Sequence, residues 1–462
     1  MRTTRRQLLT AAAAAHTLAS IVGAAPAKSR PPNIVFIMAD DLGYADLSCY
    51  GRRDYATPHI DRLAHEGMRF TEAYANSSVC SASRTALITG RYQYRLRVGL
   101  EEPIALNGAN VGIPPDHPTL PSLLRKAGYE TTLIGKFHLG RLPEYSPLKI
   151  GYDHFWGYHS GGIDYFTHKL AAGPKAADDL WEGDTPVHEA GYMTDLIGNH
   201  AVASIKNARR PYFLSVHFSA PHWPWEGPED EAESRRIQTL ADHDGGSAAT
   251  YAKMVRRLDM QVGRILDAVN SSKEAGNTIV IFTSDNGGER FSDVWPFSGR
   301  KSELLEGGLR IPAIVRWPGR VPKGVSSSQV MISMDWLPTL LDAAGTKPDA
   351  AFPSDGMSLM PVLTANAAPV PRKLFWRYRY NAQRALRDGD LKYLEIAGNA
   401  YLFNVVEDPL EKANRKAREP EVFRRLAAEY EAWNQTMLPE DPKAYTYFFS
   451  AAEMADRPGN KP

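Results

Sequence analysis

Two adjacent carboxylates, Asp40 and Asp41, follow directly after an apolar and β-branched run over residues 33–39. Such a run predicts a strand that is buried on both faces, as in a parallel sheet. Carboxylates at the end of a buried strand are costly unless a cation or hydrogen-bond donors compensate them. Since open α/β sheets bind their ligands at the carboxyl ends of their strands, the pair predicts a ligand or metal site. The alternative is a solvated turn.

Three further strand-like segments also end in ionisable or amide side chains. These are Lys136 and His138 after residues 130–135, His222 after residues 212–218, and Asp285 and Asn286 after residues 278–283. One site at a common edge of the sheet explains this repeated pattern better than separate coincidences do. We therefore expect these side chains to converge.

The residue types in this set indicate what the site would hold. The oxygen donors are Asp40, Asp41, Asp285 and Asn286, with no histidine or cysteine at zinc-like spacing. Oxygen donors of this kind favour Ca²⁺ or Mg²⁺ over zinc. The candidate cations and proton donors are Arg84, Lys136, His138, His222 and Lys301. A divalent cation with such neighbours suits a tetrahedral oxyanion, so phosphate and sulfate esters are the expected substrates.

Cys80 lies near the start of a predicted helix. The segment 77–90 begins with small and hydroxyl-bearing residues and ends at Gly90, a suitable C-cap. The helix N-terminus, with Arg84 one turn further on, would acidify the thiol and attract an anion. The alternatives are an inert buried cysteine and a disulfide between Cys49 and Cys80, the two cysteines of the chain. A thiolate would suit a hard cation poorly, and an oxygen at position 80 would suit it better.

The first 27 residues have the pattern of an export signal. Arg5 and Arg6 precede an alanine-rich apolar run over residues 11–25, and the small-residue site Ala25-Pro26-Ala27 ends it. The paired arginines favour the twin-arginine type, with a Sec-type signal as the alternative. We expect a bacterial protein that is exported to the periplasm or beyond, without a stable membrane anchor.

The bulk composition is that of an ordinary globular protein rather than a nucleic-acid binder. The 462 residues carry a formal net charge of +1, and 43% of them are hydrophobic. Removal of the signal would subtract three arginines and leave a charge near −2, because residues 1–27 contain no Asp, Glu or Lys. A chain without net positive charge is not expected to bind nucleic acid. The sequence leaves the oligomeric state open.

The order of elements predicts an α/β fold with a large central, mostly parallel sheet flanked by helices. Helices are expected at residues 57–64, 120–128 and 248–269. Residues 155–201 are expected to be mostly loop. A linker at residues 364–371 separates a catalytic domain, residues 31–364, from a smaller C-terminal domain, residues 372–462. Four short strand-like segments and a helix at residues 420–437 predict that this domain is an antiparallel sheet plus helix.

Short motifs surround the candidate site residues. They are Met38–Tyr44, Cys80–Arg84 followed by Leu87–Arg91, Gly135–Gly140, Ala220–His222, Ser284–Gly288, and Lys301 ahead of Glu306–Pro312. Their order and composition resemble those of the formylglycine-dependent sulfatases of the alkaline-phosphatase superfamily, whose signature is C-x-P/A-x-R. Phe137 replaces a tryptophan of the family pattern. Ala82 stands where proline is commoner in the family. This difference bears on how efficiently the cysteine of the signature is modified to formylglycine.

The resemblance implies an alkaline-phosphatase-like fold and a modified nucleophile. Cys80 would be oxidised to Cα-formylglycine by a maturation enzyme, and the hydrate of this group would attack sulfur. One divalent ion, Ca²⁺, would be held by Asp40, Asp41, Asp285, Asn286 and the modified residue 80.

The resemblance also implies roles for the basic residues. His222 or Lys301 would protonate or stabilise the leaving alcohol. His138 would then take a proton from the second hydroxyl of the hydrate, so that sulfate is expelled. Arg84 and Lys136 would hold the hydrate and the sulfate oxygens.

The expected substrate is a sulfated sugar rather than an aryl sulfate. Flat aromatic rings beside polar groups suit a pyranose, whose C–H faces pack on rings while its hydroxyls need partners. The candidates are Trp156, Tyr158, Trp223 and Trp225, with Asp164 and His168 as polar neighbours. The alternative for the tryptophans is that they belong to the core.

Two other functions remain open. A phosphodiesterase or phosphonate monoester hydrolase of the same superfamily could use the same residues. A non-catalytic sugar-binding relative would have lost one of these residues, and none is lost in this sequence.

Overall fold

The computed structural model describes residues 30–106, 108–170, 177–236 and 246–447. The predicted export signal, residues 1–27, lies outside the described residues, as does the end of the predicted C-terminal domain. No helix within the described ranges is long and apolar enough to cross a membrane. Cys49 and Cys80 are both free thiols, so the alternative of a disulfide between them is wrong.

A ten-stranded mixed sheet forms the centre of the described part of the chain. Its strands and those of two smaller sheets are β1 Asn33–Ala39, β2 Met68–Phe70, β3 Ala73–Tyr74, β4 Glu130–Lys136, β5 His154–Tyr158, β6 Trp181–Glu182, β7 Thr185–Pro186, β8 Tyr212–His217, β9 Thr278–Ser284, β10 Ala313–Arg316, β11 Val325–Ser327, β12 Met331–Ile332, β13 Lys373–Tyr378, β14 Gln383–Asp388, β15 Leu391–Ile396 and β16 Asn399–Asn404. The order across the large sheet is β11-β2-β10-β9-β1-β8-β4-β5-β6-β7. Strands β9, β1, β8, β4 and β5 run parallel, whereas β10 is antiparallel to β9 and to β2.

Helices cover both faces of the large sheet. The helices are α1 Pro58–His65, α2 Cys80–Thr89, α3 Leu120–Lys126, α4 Met193–Asn207, α5 Glu231–Ser234, α6 Ala248–Asn270, α7 Glu306–Leu309, α8 Trp336–Ala343, α9 Met360–Ala365 and α10 Pro420–Asn434. Alternate residues of β1 enter two separate cores. Phe36 lies in the core that contains Leu124 of α3 and Leu340 of α8, and Ile37 lies in the core that contains Val262 of α6. This explains why β1 is apolar at nearly every position.

The four strands whose ends carry the predicted site residues are direct neighbours, in the order β9-β1-β8-β4. Asn33 at the start of β1 lies opposite Thr278 of β9, and Ile34 lies opposite Phe213 of β8. Because these strands are parallel and nearly level, their carboxyl ends share one edge of the sheet. The predicted convergence at that edge is confirmed.

Residues 155–201 contain more regular structure than the sequence predicted, since they include most of β5 and the start of α4. In α4 the buried residues alternate irregularly with polar ones such as Asp195 and Asn199, which obscures the helical period. Within β5, Gly157 interrupts the strand pattern. The glycine is required there, because a Cβ would lie 2.0 Å from the carbonyl oxygen of Gly135 on β4.

The C-terminal sheet consists of β13 to β16, paired antiparallel in chain order as predicted. One face packs against α10, where Leu386 shares a core with Leu426 and Tyr430. Trp376 enters a second core with Tyr74, so the sheet also packs on the first hundred residues. The predicted fold class is therefore confirmed, while the boundary between two domains stays a prediction.

Beyond α10, residues 438–447 form a stretch without helix or strand. We call these residues the C-terminal segment. It begins with a hydrogen bond in which the Leu438 amide donates to the carbonyl of Tyr94, at 3.0 Å. The C-terminal segment thus returns to the part of the chain that directly follows α2.

Candidate active site

The ends of β1 and β4 are joined by a buried ion pair. Lys136 Nζ donates to Asp40 Oδ2, and neither side chain is accessible to solvent. Backbone hydrogen bonds tie the neighbouring strand ends together, because the Asp40 amide donates to Ala220 at 3.2 Å and the Asp285 amide donates to Ala39 at 3.3 Å. Burial raises the pKa of Asp40 well above its usual value, although Lys136 opposes this shift.

Arg84 reaches the same edge from α2, one helical turn after Cys80. Its Nη2 lies 2.8 Å and its Nε 3.0 Å from Asp285 Oδ2, while Nη1 lies 3.3 Å from the carbonyl oxygen of Lys136. Burial alone would raise the pKa of Asp285, but Arg84 and Lys136 together lower it below its usual value. Asp285 is therefore held as a carboxylate.

Asp41 is the centre of a second group of contacts. Lys301 Nζ donates to Asp41 Oδ2 at 2.6 Å, and Asn286 Nδ2 donates to Asp41 Oδ1 at 2.7 Å. His222 Nε2 lies 3.6 Å from Oδ2, and the Asp41 amide donates to Asp285 Oδ1 at 3.2 Å. Burial disfavours the charge on Lys301, but Asp41 and the other acidic groups nearby together outweigh it, so that the pKa of Lys301 is raised well above its usual value.

The two candidate histidines are each oriented by a backbone carbonyl. His138 Nε2 lies 3.0 Å from the carbonyl oxygen of Ile104, and His222 Nδ1 lies 2.6 Å from that of Trp223. Burial lowers the pKa of both rings well below the usual value, with Lys136 adding to the effect at His138 and Lys301 at His222. Among the described residues, His138 Nδ1 has no hydrogen-bond partner. A neutral His138 that donates from Nε2 therefore keeps Nδ1 as a proton acceptor.

Cys80 is the first residue of α2 and is 1% exposed. Ligand atoms of Asp40, Asp41, Cys80 and His222 all lie within 4.8 Å of one another, which makes them a possible metal-binding cluster. Burial raises the pKa of the thiol to about 12, against the opposing effect of Lys136 and Lys301. The prediction of an acidified thiol is therefore wrong, because desolvation outweighs the helix terminus and the nearby cations.

The oxygen donors around this cluster fit a hard cation. Asp40 Oδ1 and Asn286 Oδ1 are both buried, and among the described residues neither has a hydrogen-bond partner. Buried oxygens of this kind are costly without a donor or a cation, and carboxylate and amide oxygens are ligands that Ca²⁺ prefers. Both oxygens of Asp285 already accept hydrogen bonds, from Arg84 and from the Asp41 amide.

A cavity of about 570 Å³ opens above these residues. Its floor contains Cys80, His138, His222 and Lys301, and its walls contain Pro103, Ile104, Ala105, Leu106, Gly108, Ser160, Gly161, Gly162, Leu170, Trp223, Tyr445 and Tyr447. Gly161 leaves room for the imidazole ring of His138, since a Cβ at position 161 would lie 2.6 Å from Cε1 of that ring. The arrangement places a possible metal cluster, three basic side chains and a residue at the helix N-terminus at the bottom of one ligand-sized cavity.

Comparison with known proteins decides the family. The family model described as Sulfatase matches residues 32–346, and the one described as N-sulphoglucosamine sulphohydrolase, C-terminal, matches residues 300–421. The chain belongs to the sulfatase family. The family resemblance inferred from the motifs is confirmed.

Relatives of this sulfatase cover most of its length. It is 33% identical to the N-acetylgalactosamine-6-sulfatase of Sus scrofa over 79% of this chain and 71% of that protein. It is 31% identical to the steryl-sulfatase of Mus musculus over 81% of this chain and 72% of that protein. The solved structure of Ps i-CgsB in complex with k-i-k-neocarrahexaose superposes with a TM-score of 0.81 at 30% identity, covering 92% of this chain and 97% of that one. This sulfatase is therefore an enzyme that hydrolyses sulfate esters.

The aromatic residues predicted to bind a sugar are only partly at the cavity of the sulfatase. Trp223 lines it, beside His222. Trp156, Tyr158 and Trp225 do not, because all three are buried in a core. Trp156 stacks on His200, with 3.9 Å between ring centroids, at a separate groove.

The two polar neighbours predicted to accompany those rings also lie outside the lining of the cavity. Asp164 accepts hydrogen bonds from the Ser234 hydroxyl at 2.9 Å, and His168 Nε2 lies 3.1 Å from the carbonyl oxygen of Gly191. The prediction that Trp156, Tyr158, Trp225, Asp164 and His168 form the sugar site is therefore wrong. The positions of these residues in the sequence, after strand-like segments, did not show whether their side chains line the cavity or lie in the core.

Sequence reasoning missed His217, the last residue of β8. Its Nδ1 lies 3.2 Å from Arg84 Nη1 and 3.1 Å from the carbonyl oxygen of Lys136, and its Nε2 lies 2.8 Å from the Ser215 hydroxyl. Burial and the charge of Arg84 lower its pKa to about 3, so the ring is neutral and helps to hold Arg84. The signal was available, since His217 is another ionisable residue at a strand end.

Proposed function

We propose that this sulfatase releases sulfate from a sulfated carbohydrate, using a Cα-formylglycine formed at Cys80 and one bound divalent cation, Ca²⁺. The observation that carries the proposal is the convergence of Cys80 with Asp40, Asp41, His222 and Lys301 at the floor of a ligand-sized cavity. A sulfate ester needs an anion-binding floor, an in-line nucleophile and a donor for the leaving oxygen. The floor contains residues suited to each task.

The chemistry of position 80 supports the modification. With its pKa raised to about 12, the Cys80 thiol is protonated at neutral pH, and neutral thiols are poor nucleophiles. An oxygen at this position is also a better neighbour for the carboxylates and a hard cation than sulfur is. Formylglycine supplies such an oxygen nucleophile when it is present. In this proposal the thiol is a precursor and not the reactive group.

The cation would be held by Asp40, Asp41, Asp285, Asn286 and the modified residue 80. The buried oxygens Asp40 Oδ1 and Asn286 Oδ1, which accept no hydrogen bond among the described residues, support such a ligand set, and an oxygen in place of the Cys80 sulfur would make the donors mainly oxygen. Bound there, Ca²⁺ supplies a positive charge that favours negatively charged oxygens on the floor. The counter-charges of Arg84 and Lys301 hold Asp285 and Asp41 in place.

The basic side chains would then divide the remaining work. Arg84 and Lys136 are oriented by carboxylates and carbonyls so that they present fixed positive charge to the sulfate oxygens. Lys301 or His222, both on the cavity floor, would stabilise or protonate the leaving alcohol. His138, whose Nδ1 is a free acceptor among the described residues, would take up the proton released when sulfate departs.

Relatives support the carbohydrate part of the proposal. One is an N-acetylgalactosamine-6-sulfatase, and the solved structure of Ps i-CgsB was obtained with k-i-k-neocarrahexaose, although another relative is a steryl-sulfatase.

The test is sulfate release by protein co-expressed with a maturation enzyme. Sulfated galactose, N-acetylgalactosamine and glucosamine oligosaccharides are compared with 4-nitrophenyl sulfate and a phosphodiester. We expect the highest kcat/KM with a sugar, and a higher value with the nitrophenyl ester or the phosphodiester contradicts the proposal.

Export is a further part of the proposal. The arginine pair and apolar run of residues 1–27 support a twin-arginine signal that carries the enzyme out of the cytoplasm. Fractionation of the producing cells, with Arg5→Lys and Arg6→Lys introduced together as a control, checks this. Enzyme that remains with the cytoplasmic fraction in the wild type contradicts it.

A further inference from the structure

Two tyrosines at the wall of the cavity come from the C-terminal segment. Tyr445 and Tyr447 both line the cavity that holds Cys80, although more than 350 positions separate them from it. We propose that these two side chains bind the sugar ring of the substrate and are specificity-determining residues of the enzyme. This inference rests on the proposed function, because it names the part of the site that receives the alcohol of the sulfate ester.

The catalytic part of the chain fixes the position of the two tyrosines. The Glu102 amide donates to the carbonyl of Tyr445 at 2.9 Å, and the Tyr447 amide donates to the carbonyl of Glu102 at 2.6 Å. The Tyr445 amide also donates to the carboxylate of Glu101 at 2.8 Å. Residues 103–106, which follow Glu102 directly, line the same cavity. The C-terminal segment and residues 101–106 therefore form one continuous wall.

The C-terminal sheet holds the other side of the segment. The Tyr378 hydroxyl donates to the carbonyl of Tyr447 at 2.7 Å, and the Arg379 guanidinium donates to the carbonyls of Asp441 and Ala444. Arg377 donates to the carbonyl of Leu438 at 2.7 Å. Backbone that is bonded on both sides fixes where its side chains start, and such preorganised groups bind a ligand at a lower entropic cost.

The placement of the rings favours the leaving-group side of the site. The Tyr447 ring centroid lies 6.0 Å from Lys301 Nζ, the group proposed to act on the leaving alcohol. Trp223, adjacent to the other candidate donor His222, lines the cavity as well, with 4.3 Å between the two ring centroids. The alcohol of a bound ester would thus lie among Tyr445, Tyr447 and Trp223.

The chemistry of this wall suits a pyranose. Aromatic rings pack against the C–H faces of a sugar, and phenol and hydroxyl groups such as that of Ser160 can bond its hydroxyls. The cavity of about 570 Å³ falls within the ordinary range for small ligands. Among the residues that the structure describes, no carboxylate lines it, so the wall offers the alcohol neutral contacts, while the floor provides the charges.

The test compares two substrates in each variant, the best sugar sulfate and 4-nitrophenyl sulfate. Loss of a stacking ring costs of the order of 1 kcal/mol, so Tyr447→Ala should lower kcat/KM for the sugar sulfate about fivefold to tenfold, mainly through KM. The loss for the smaller nitrophenyl ester should be several times less. Tyr445→Ala should act in the same direction, and Tyr447→Phe should retain most of the preference because it keeps the ring.

Tyr401→Ala is the matched control, since this tyrosine stacks on Phe403 in the C-terminal sheet and does not line the cavity. It should leave the ratio of the two kcat/KM values unchanged, and melting temperatures verify that every variant is folded. Equal losses on both substrates in the Tyr445→Ala and Tyr447→Ala variants overturn this inference while the proposed function stands. A wild-type enzyme that cleaves the nitrophenyl ester but no sugar sulfate overturns both.

Discussion

Carboxylates are buried in two regions of the molecule, and their surroundings differ. Below the cavity floor, Asp285 is paired with Arg84 at 2.8 Å, and this pairing lowers its pKa. Beneath the C-terminal segment, Glu102 accepts hydrogen bonds from the Arg379 amide at 2.9 Å and the Thr446 hydroxyl at 3.4 Å, and burial raises its pKa to about 8. Asp285 is thus held as a carboxylate by its arginine, whereas burial keeps Glu102 neutral, as it also favours the neutral form of Asp40.

The largest expected effect concerns the floor. Cys80→Ala removes the proposed precursor of the nucleophile, so activity should fall about a thousandfold or more while the fold is retained. Cys49→Ala, at the half-buried second cysteine, is the control and should remain active. Peptide mass spectrometry of the wild-type enzyme should find formylglycine at position 80. Fully active enzyme with only cysteine at this position would refute the proposed chemistry.

The next effect tests whether the floor depends on paired charge. Asp285→Ala leaves the guanidinium of Arg84 buried without its carboxylate, which should cost about 3–5 kcal/mol of the free energy of unfolding. It also removes a proposed ligand, so bound calcium and activity should fall together, as they should after exhaustive chelation of the wild type.

Asp267→Ala is the matched control for that variant. Asp267 also pairs with an arginine, Arg62 at 2.8 Å, but it is 63% exposed. Exposed pairs contribute little to stability, so this variant should match the wild type in urea unfolding, metal content and activity. If Asp285→Ala also matches the wild type, the floor does not depend on this pair and the ligand set is wrong.

The third prediction concerns the wall and depends on pH. Because the pKa of Glu102 is about 8 in the fold and near 4.5 when exposed, the folded state binds the extra proton between these values. The stability contributed by the neutral carboxyl is therefore complete below pH 4.5 and is lost as the pH rises to 8. Glu102→Gln, which is always neutral, should exceed the wild type in melting temperature at pH 9 and match it at pH 4.5.

The charged groups near Glu102 do not reverse the direction in which stability changes with pH. Arg377 and Arg379 lower its pKa and Glu440 raises it, while burial is the largest cause. Glu421→Gln is the control, because Glu421 is 87% exposed and pairs with Arg424 on α10. It should show no such difference between the two pH values. A gap between Glu102→Gln and the wild type that is the same at both pH values would show that Glu102 is ionised in the fold.

The two regions also differ in how far the sequence predicts them. Asp40, Lys136, His222 and Asp285 could be found because each follows an apolar strand, and parallel neighbouring strands must end at one edge. The strands that bring these side chains together can be recognised from local patterns in the sequence. The protonation of Cys80 could not be predicted in the same way, because its pKa depends on how completely the folded chain excludes water from the thiol.

The wall depends on contacts between distant parts of the chain. Tyr445 and Tyr447 lie in a short polar segment without periodicity, and their bonds to Glu101, Glu102 and Tyr378 bring them to the cavity. Nothing in the spacing of residues 438–447 indicates that this segment contacts Glu101 and Glu102. The sequence instead favoured Trp156 and Trp225, which have the right chemistry but are packed in the core. Residue type identifies candidates for binding a sugar, whereas exposure to the cavity requires the tertiary structure.

The order of strands in the large sheet has a consequence for the timing of biosynthesis. Arg84 meets Asp285 only after 201 further residues have been added to the chain, and Lys301 follows later still. At 5–20 residues per second, a ribosome needs roughly 10–40 s to supply them. During this interval the edge that buries Cys80 cannot close, so the thiol would be open to the maturation enzyme that the proposed function requires. In the folded chain, where β9 pairs with β1, the same thiol is 1% exposed, so under the proposed function a chain that folds before Cys80 is oxidised would stay inactive.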